Sequence, residues 1–427
     1  MQFISTRFLY IKDFYKIWRI NNLERRSVSL LTARTKTGKK LCLGYAYRKE
    51  TLLDLRNKEE FICPICGESV LLKLGDQRIF HFAHKRGSNC RDNFENESYE
   101  HMEGKRQLFQ WLNKQKIPSV LEFYDREILQ RPDIMFKYKG KKYALEYQCS
   151  TLPEKVFIKR TKTYIENDYI PLWIISSSHI RKKKKKTIAL SNFHYLFLRS
   201  TSSGNLYIPA YCPEEHLFQL VESITSFSIK NALVEHSYYS LHNFELDALL
   251  EPKKKFQFNL SSWNAENEKF ILNWSLHPQS GKKIFLHEIY NRGLNLFLLP
   301  PEIGLPVVHS LLIQTPPIIW QTYLYLDVLA NKNPNDLITF QEITAHFNKR
   351  IRRNDIILRN LPQLGQLNPI LAQIEYLQTL EQLGILKRKG DTAFQIQRKI
   401  MIPRSNRERE EVKLFFYQKN SNILAKK

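Results

Sequence analysis

Two groups of residues in this 427-residue chain have types and spacings that could do chemistry. The first lies in residues 131–150, RPDIMFKYKGKKYALEYQCS. Asp133 stands beside Pro132 at the start of an alternating run, Glu146 lies in a second such run, and Gln148 follows two positions later. Side chains two apart on a strand share a face, so Glu146 and Gln148 point together while Leu145 and Tyr147 point the other way. Asp133, at the mouth of the first strand, can reach the side of Glu146. Two carboxylates and a neutral amide in this layout suit a divalent ion held by oxygen ligands, which would polarise a phosphate and activate a water.

The second group is in residues 61–90, FICPICGESVLLKLGDQRIFHFAHKRGSNC. Cys63 and Cys66 form a C-x2-C knuckle with Gly67 after it, where a tight turn brings two thiolates onto one ion. A hairpin turning at Gly75 and Asp76 brings a strand carrying His81 and His84 back towards the knuckle, and Cys90 follows. Tetrahedral zinc needs four nitrogen or sulfur ligands. Cys63, Cys66 and His84 are three of them, and the fourth is Cys90 or, as the alternative, His81. The set leaves no open position, so the zinc expected here is structural.

These groups need elements to position them. Residues 95–116 read as a helix with an apolar stripe of Leu108, Phe109, Trp111 and Leu112, and with Glu97, Glu100, His101 and Lys105 towards another side. Pro118 ends it. Residues 120–129 read as a strand, residues 131–150 as a hairpin about Gly140, 153–167 as a helix and 170–176 as a buried strand. The order αβββαβ is that of a restriction-endonuclease-like core. Upstream, residues 1–27 suggest an amphipathic helix, residues 30–46 a hairpin about Gly38, and the stretch from Leu52 a short helix.

Composition restricts the setting. A formal net charge of +24 favours a polyanionic partner. The first twenty residues carry Arg7, Lys12, Asp13, Lys16 and Arg19, which a secretion signal would exclude. The most apolar later stretch, residues 294–320, is interrupted by Pro300, Pro301, Pro306, Pro316 and Pro317, which suits buried core and not a membrane span. Six cysteines without an export signal point to a reducing, cytoplasmic location.

Taken in order, LLTARTKTGKKL, the cysteine knuckle followed by FAH, ESYEHMEGKRQLFQWL, RPDIMF and ALEYQCS resemble the competence protein CoiA family, well over residues 30–176 and loosely beyond. The resemblance implies a zinc-binding module ahead of a PD-(D/E)xK nuclease domain acting on incoming single-stranded DNA during natural transformation. Carried over to this sequence, it makes Asp133 and Glu146 the Mg2+ or Mn2+ carboxylates and Glu100 the helix carboxylate. Gln148 then occupies the position where that motif has lysine. A glutamine can orient water but supplies no full charge, so robust catalysis would need Lys105, Lys155 or Lys142 to take over the role.

Beyond the core, Arg160 and Tyr164 share a helix face and could meet a substrate phosphate, although packing accounts for Tyr164 as well. The run Lys182, Lys183, Lys184, Lys185 and Lys186 reads as a solvated loop or as a contact to a phosphate strand. Residues 200–290 carry no motif. Residues 320–330 read as a helix, and 339–398 as mainly helical, ending in a helix and a Gly-turned basic hairpin that resemble a winged helix.

The expected architecture is therefore a multidomain α+β protein. It has an N-terminal extension and hairpin (1–60), a zinc-binding β-hairpin module (61–92), a nuclease-like domain (93–200) and a mainly helical C-terminal region (201–427). Two functions compete: a Mg2+- or Mn2+-dependent deoxyribonuclease, and a non-catalytic mediator that brings single-stranded DNA to a recombinase or to other competence proteins. Gln148 is the feature that separates them.

Overall fold

The computed structural model describes residues 29–76, 79–85, 90, 97–180, 182–184, 186–253, 258–276, 280–365 and 367–425. The helix expected in residues 1–27 lies outside them. Among the described residues no helix is long and apolar enough to cross a membrane. The chain divides into two compact units, residues 1–149, 163–172 and 213–215, and residues 150–162, 173–212 and 216–427.

In the first unit, β1 (Ser29–Leu30), β2 (Thr32–Thr35), β3 (Lys40–Cys42), β4 (Phe61–Ile62), β5 (Ser69–Lys73) and β6 (His81–His84) form one antiparallel sheet in the order β1-β6-β5-β4-β2-β3. The hairpin about Gly38 and the cysteine-bearing strands thus share a sheet, because β2 pairs with β4. Gly38 has φ +89°, the left-handed turn that favours glycine. Helix α1 (Lys49–Lys58) connects the two halves.

Helix α2 (Tyr99–Lys114) begins at Ser98, whose side chain accepts the N–H of His101. Its stripe of Leu108, Phe109, Trp111 and Leu112 is buried, as the spacing predicts. Then come β7 (Ser119–Leu121), β8 (Ile134–Tyr138), β9 (Lys141–Gln148), α3 (Glu154–Glu166) and β10 (Tyr169–Ser176), giving the expected order α, β, β, β, α, β. Strands β7, β8 and β9 pair antiparallel, with Gly140 at φ +76° in the hairpin turn.

The strand expected over residues 120–129 is cut short. Glu122 takes φ +49° and turns the chain out of line, and only an isolated bridge between Asp125 and Gln130 follows. The reason is the Glu122 carboxylate itself, which the turn directs into the protein to accept the backbone N–H groups of Leu31 and Thr32.

Two glycines set close approaches. A Cβ on Gly104 would lie 2.1 Å from Cε1 of Tyr147, and one on Gly44 would lie 2.7 Å from Cδ1 of Phe109. Any larger residue would push α2 off β9 or off the loop after β3.

The second unit takes in residues 150–162 and the latter half of β10, which pairs parallel with β14. Its strands are β11 (Lys182–Lys184), β12 (Thr187–Ala189), β13 (Arg199–Ser200), β14 (Leu206–Cys212), β15 (Leu217–Ser226) and β16 (Asn231–Ser240). They run in the order β11-β12-β16-β15-β14, with β13 beside β14. Of the lysine run, Lys182–Lys184 form an edge strand paired with β12 where a loop was expected.

Helices α4 (Leu260–Leu276), α5 (Ser280–Asn291) and α6 (Pro317–Leu324) follow, α6 running on into a π-helical turn over Tyr325–Leu329. Pro317 sits in the first turn of α6, where its missing N–H costs nothing. The proline-rich stretch is core, with Leu294, Leu305, Val307 and Trp320 buried. Then come β17 (Leu337–Thr339), α7 (Phe340–Arg352), α8 (Ile370–Gln382), β18 (Leu386–Lys389), β19 (Ala393–Ile396) and α9 (Asn406–Leu424). The three strands pair in the order β17-β19-β18, with Gly390 at φ +63° in the basic hairpin.

Candidate functional site

The cysteine knuckle closes as its spacing predicts. Gly67, at φ +75°, donates its N–H to the Cys63 carbonyl, and the Ile65 N–H reaches Cys63 Sγ at 3.4 Å. Pairing of β5 with β6 places His84 opposite Val70, and its Nε2 lies 3.4 Å from Cys66 Sγ. The ligand atoms of Cys63, Cys66, His84 and Cys90 all lie within 4.8 Å of one another. Four soft donors, mostly buried and with no open place, fit a tetrahedral structural metal ion such as zinc. His81 turns elsewhere, its Nδ1 lying 2.9 Å from the Ile79 carbonyl. The choice between the two candidates for the fourth ligand therefore falls on Cys90.

The polar side of α2 builds a second cluster. Glu97, just before the helix, and His101 and Lys105 recur every four residues, so they stack on one face. Lys105 has no solvent exposure, yet its Nζ lies 2.7 Å from Glu97 Oε1, 2.7 Å from Glu122 Oε1 and 3.7 Å from Asp133 Oδ1. Arg131 approaches Glu97 at 3.8 Å and Glu122 at 3.9 Å. His101 Nε2 lies 3.2 Å from Asp133 Oδ2, which also accepts the Tyr147 N–H at 2.9 Å.

Electrostatics fix the charge states. Burial would discharge Lys105, but Glu122, Glu97 and Asp133 more than reverse this and raise its pKa, so it remains an ammonium. Burial likewise disfavours the Asp133 carboxylate, yet His101, Lys105 and the Tyr147 N–H hold it well below the usual carboxylate range. Burial works against the imidazolium of His101, and Asp133 outweighs it and raises the pKa. Glu122 is lowered despite burial by Lys105 and Arg131, whereas burial raises Glu97.

The other residues singled out from sequence are placed around this cluster. Register carries Asp133, one step before Ile134↔Leu145, to a position opposite Glu146. Tyr147 packs its ring against Gly104 and donates its hydroxyl to Glu100 Oε1 at 3.4 Å. Glu146 accepts the hydroxyl of Tyr164, in the last turn of α3, and Gln148 is buried on the same strand. Tyr164 thus does core work beside a candidate ligand, while the Arg160 guanidinium lies 5.5 Å from the centre of the Trp173 ring. Among the described residues, no set of three His, Cys, Asp or Glu ligand atoms converges at Asp133 and Glu146 as it does at the cysteines. Glu97, Glu122 and Asp133 gather around the Lys105 ammonium.

Sequence reasoning missed Glu97, His101, Glu122 and Arg131 as members of one cluster. The repeat Glu-x3-His-x3-Lys was the available signal for the first two and for Lys105. Nothing marked Glu122, which stood inside an expected strand. Of the lysine run, Lys182–Lys184 have strand backbone, Lys186 pairs with Glu235 at 3.0 Å, and Lys185 lies outside the described residues.

Family models match in series: the N-terminal domain of competence protein CoiA over residues 44–93, its nuclease-like domain over 97–254, and its C-terminal domain over 258–409. Competence protein CoiA of Bacillus subtilis (strain 168) is 32% identical over 311 residues, covering 71% of this chain and 81% of that protein. No solved structure matches. The cysteine module, the nuclease-like core and the C-terminal region thus occur in the order found in that family, and the chain belongs to the competence protein CoiA family.

Proposed function

We propose that this competence protein binds incoming single-stranded DNA in the cytoplasm during natural transformation and passes it to recombination, using a nuclease-like core that does not hydrolyse it. The observation that carries this reading is the place of Lys105. Its ammonium occupies the centre that Glu97, Glu122 and Asp133 surround, so the negative charge a divalent ion would answer is already answered within the protein. Gln148, where the motif lysine would stand, supports the same reading. The +24 net charge supplies affinity for phosphate, and a recombinase is the partner that single-stranded DNA implies. The cysteine-histidine site carries zinc in a structural role.

A second reading, hydrolysis with Mg2+ or Mn2+ at Asp133 and Glu146 and with Glu100 contributing from α2, is favoured by the register that sets those two positions opposite each other. The deciding experiment incubates the purified protein with labelled single- and double-stranded DNA and Mg2+ or Mn2+, beside Asp133→Ala and Glu146→Ala. Retention of DNA without cleavage, unchanged in Gln148→Lys, is the expected result. Metal-dependent products that vanish in Asp133→Ala, or that appear faster in Gln148→Lys, would replace this proposal with the second reading.

A further inference from the structure

The first unit carries a concave surface that the acidic cluster does not use. Tyr99 and Arg106 lie seven residues apart on α2, two helical turns, and so share a face distinct from that of Glu97, His101 and Lys105. With Tyr45 and Tyr47 from the loop after β3, and with Phe80 before β6, they line a cavity of about 530 Å³. Its aliphatic floor, Leu43 and Leu52, is buried, while what faces solvent is tyrosine: Tyr45 is 51% exposed, Tyr47 36% and Tyr99 56%.

The Tyr45 ring is held in place by packing. Gly44 presses against Phe109, its carbonyl accepts Gln110 Nε2 at 2.8 Å, and the Tyr45 ring stands edge-on to Phe109 with centroids 5.2 Å apart. One exposed cation, Arg48, directly follows Tyr47 in the chain and can meet an anion threaded past the tyrosines. The carboxylate of Asp76 in the cavity wall is answered by Lys49 at 2.6 Å. Arg106 lies in the wall with its guanidinium held by Glu103 and Gln110. Exposed, preorganised aromatic faces beside cations are how proteins hold unpaired bases without reading their sequence, whereas an aliphatic or lipid ligand would be met by aliphatic side chains.

We infer that this tyrosine-lined cavity stacks the bases of single-stranded DNA, a subsite separate from the carboxylate cluster. The inference rests on the proposal that the protein binds single strands. The test measures affinity of the full chain for an oligothymidylate and for an abasic strand of equal length, comparing wild type with Tyr45→Ala/Tyr99→Ala and with Tyr45→Phe/Tyr99→Phe. Because both side chains are half exposed, the substitutions leave the fold intact, which zinc content and circular dichroism report.

The alanine pair is expected to weaken oligothymidylate binding about 5- to 150-fold for each base that no longer stacks. The salt dependence should not change, since stacking releases no counterions. The abasic strand should bind wild type and the alanine pair alike, and the phenylalanine pair should match wild type. Equal affinity of wild type and the alanine pair for oligothymidylate, or an equal loss on the abasic strand, overturns the inference alone. Failure of wild type to bind any single strand overturns it together with the proposal beneath it.

Discussion

Lys105 Nζ lies 2.7 Å from one oxygen of Glu122, and the other oxygen of that carboxylate accepts the backbone N–H groups of Leu31 and Thr32 at 2.9 and 3.1 Å. A helix lysine and a post-strand glutamate therefore tie α2, the end of β7 and the junction of β1 with β2 into one buried network.

Removing the ammonium leaves Glu97, Glu122 and Asp133 buried with their main counter-charge gone. Lys105→Met is expected to cost about 3–5 kcal/mol, the usual penalty for breaking a buried ion pair from one side. Urea unfolding of the two proteins measures this. A loss under about 1 kcal/mol would mean the carboxylates find water or protons without disturbing the fold.

One tightly bound zinc per chain is expected from Cys63, Cys66, His84 and Cys90. Metal binding of about 10–16 kcal/mol is then folding energy for the sheet that carries them, so Cys63→Ala should lose both metal and folded structure. His81→Ala should keep its zinc, because that ring points to the Ile79 carbonyl. Elemental analysis of the purified variants decides both points.

Gly104→Ala should destabilise the first unit by about 1–3 kcal/mol, since the added methyl meets the Tyr147 ring. Combining it with Tyr147→Leu should recover part of the loss. Additive costs in a double-mutant cycle would show that helix and strand do not meet at this point.

Replacing Lys182, Lys183, Lys184, Lys185 and Lys186 by glutamine should flatten the salt dependence of single-strand binding, by about 0.7 in log–log slope for each phosphate left without its lysine. An unchanged slope would leave the edge strand a role in preventing sheet association alone.

Much of this was legible because the signals were local. Alternation about Gly140, the apolar stripe of α2 and the C-x2-C spacing each report a geometry fixed within a few residues, and each element formed where expected. The acidic cluster was legible only as a spacing. Glu97, His101 and Lys105 stack on one face by helical repeat, but charges on a helix face usually meet water, and nothing local says that Arg131 and Glu122 come to bury them. The bend at Glu122 was hidden for the same reason, its cause lying about ninety residues away at Leu31 and Thr32. The strand at Lys182–Lys184 went unforeseen because like charge disfavours a packed interior and says little about a sheet edge.

The reach of Glu122 to Leu31 and Thr32 bears on how this protein can be cut or recombined with its relatives. The recognised N-terminal and nuclease-like domains adjoin between residues 93 and 97, which invites dissection there. A fragment beginning at residue 97 would keep Glu122 and Lys105 but lose the two N–H donors that orient the glutamate. The strand supplying those donors lies outside both recognised segments. A chimera that exchanged residues 97–254 alone would inherit one half of a joint, so the heritable module extends from β1 through β9.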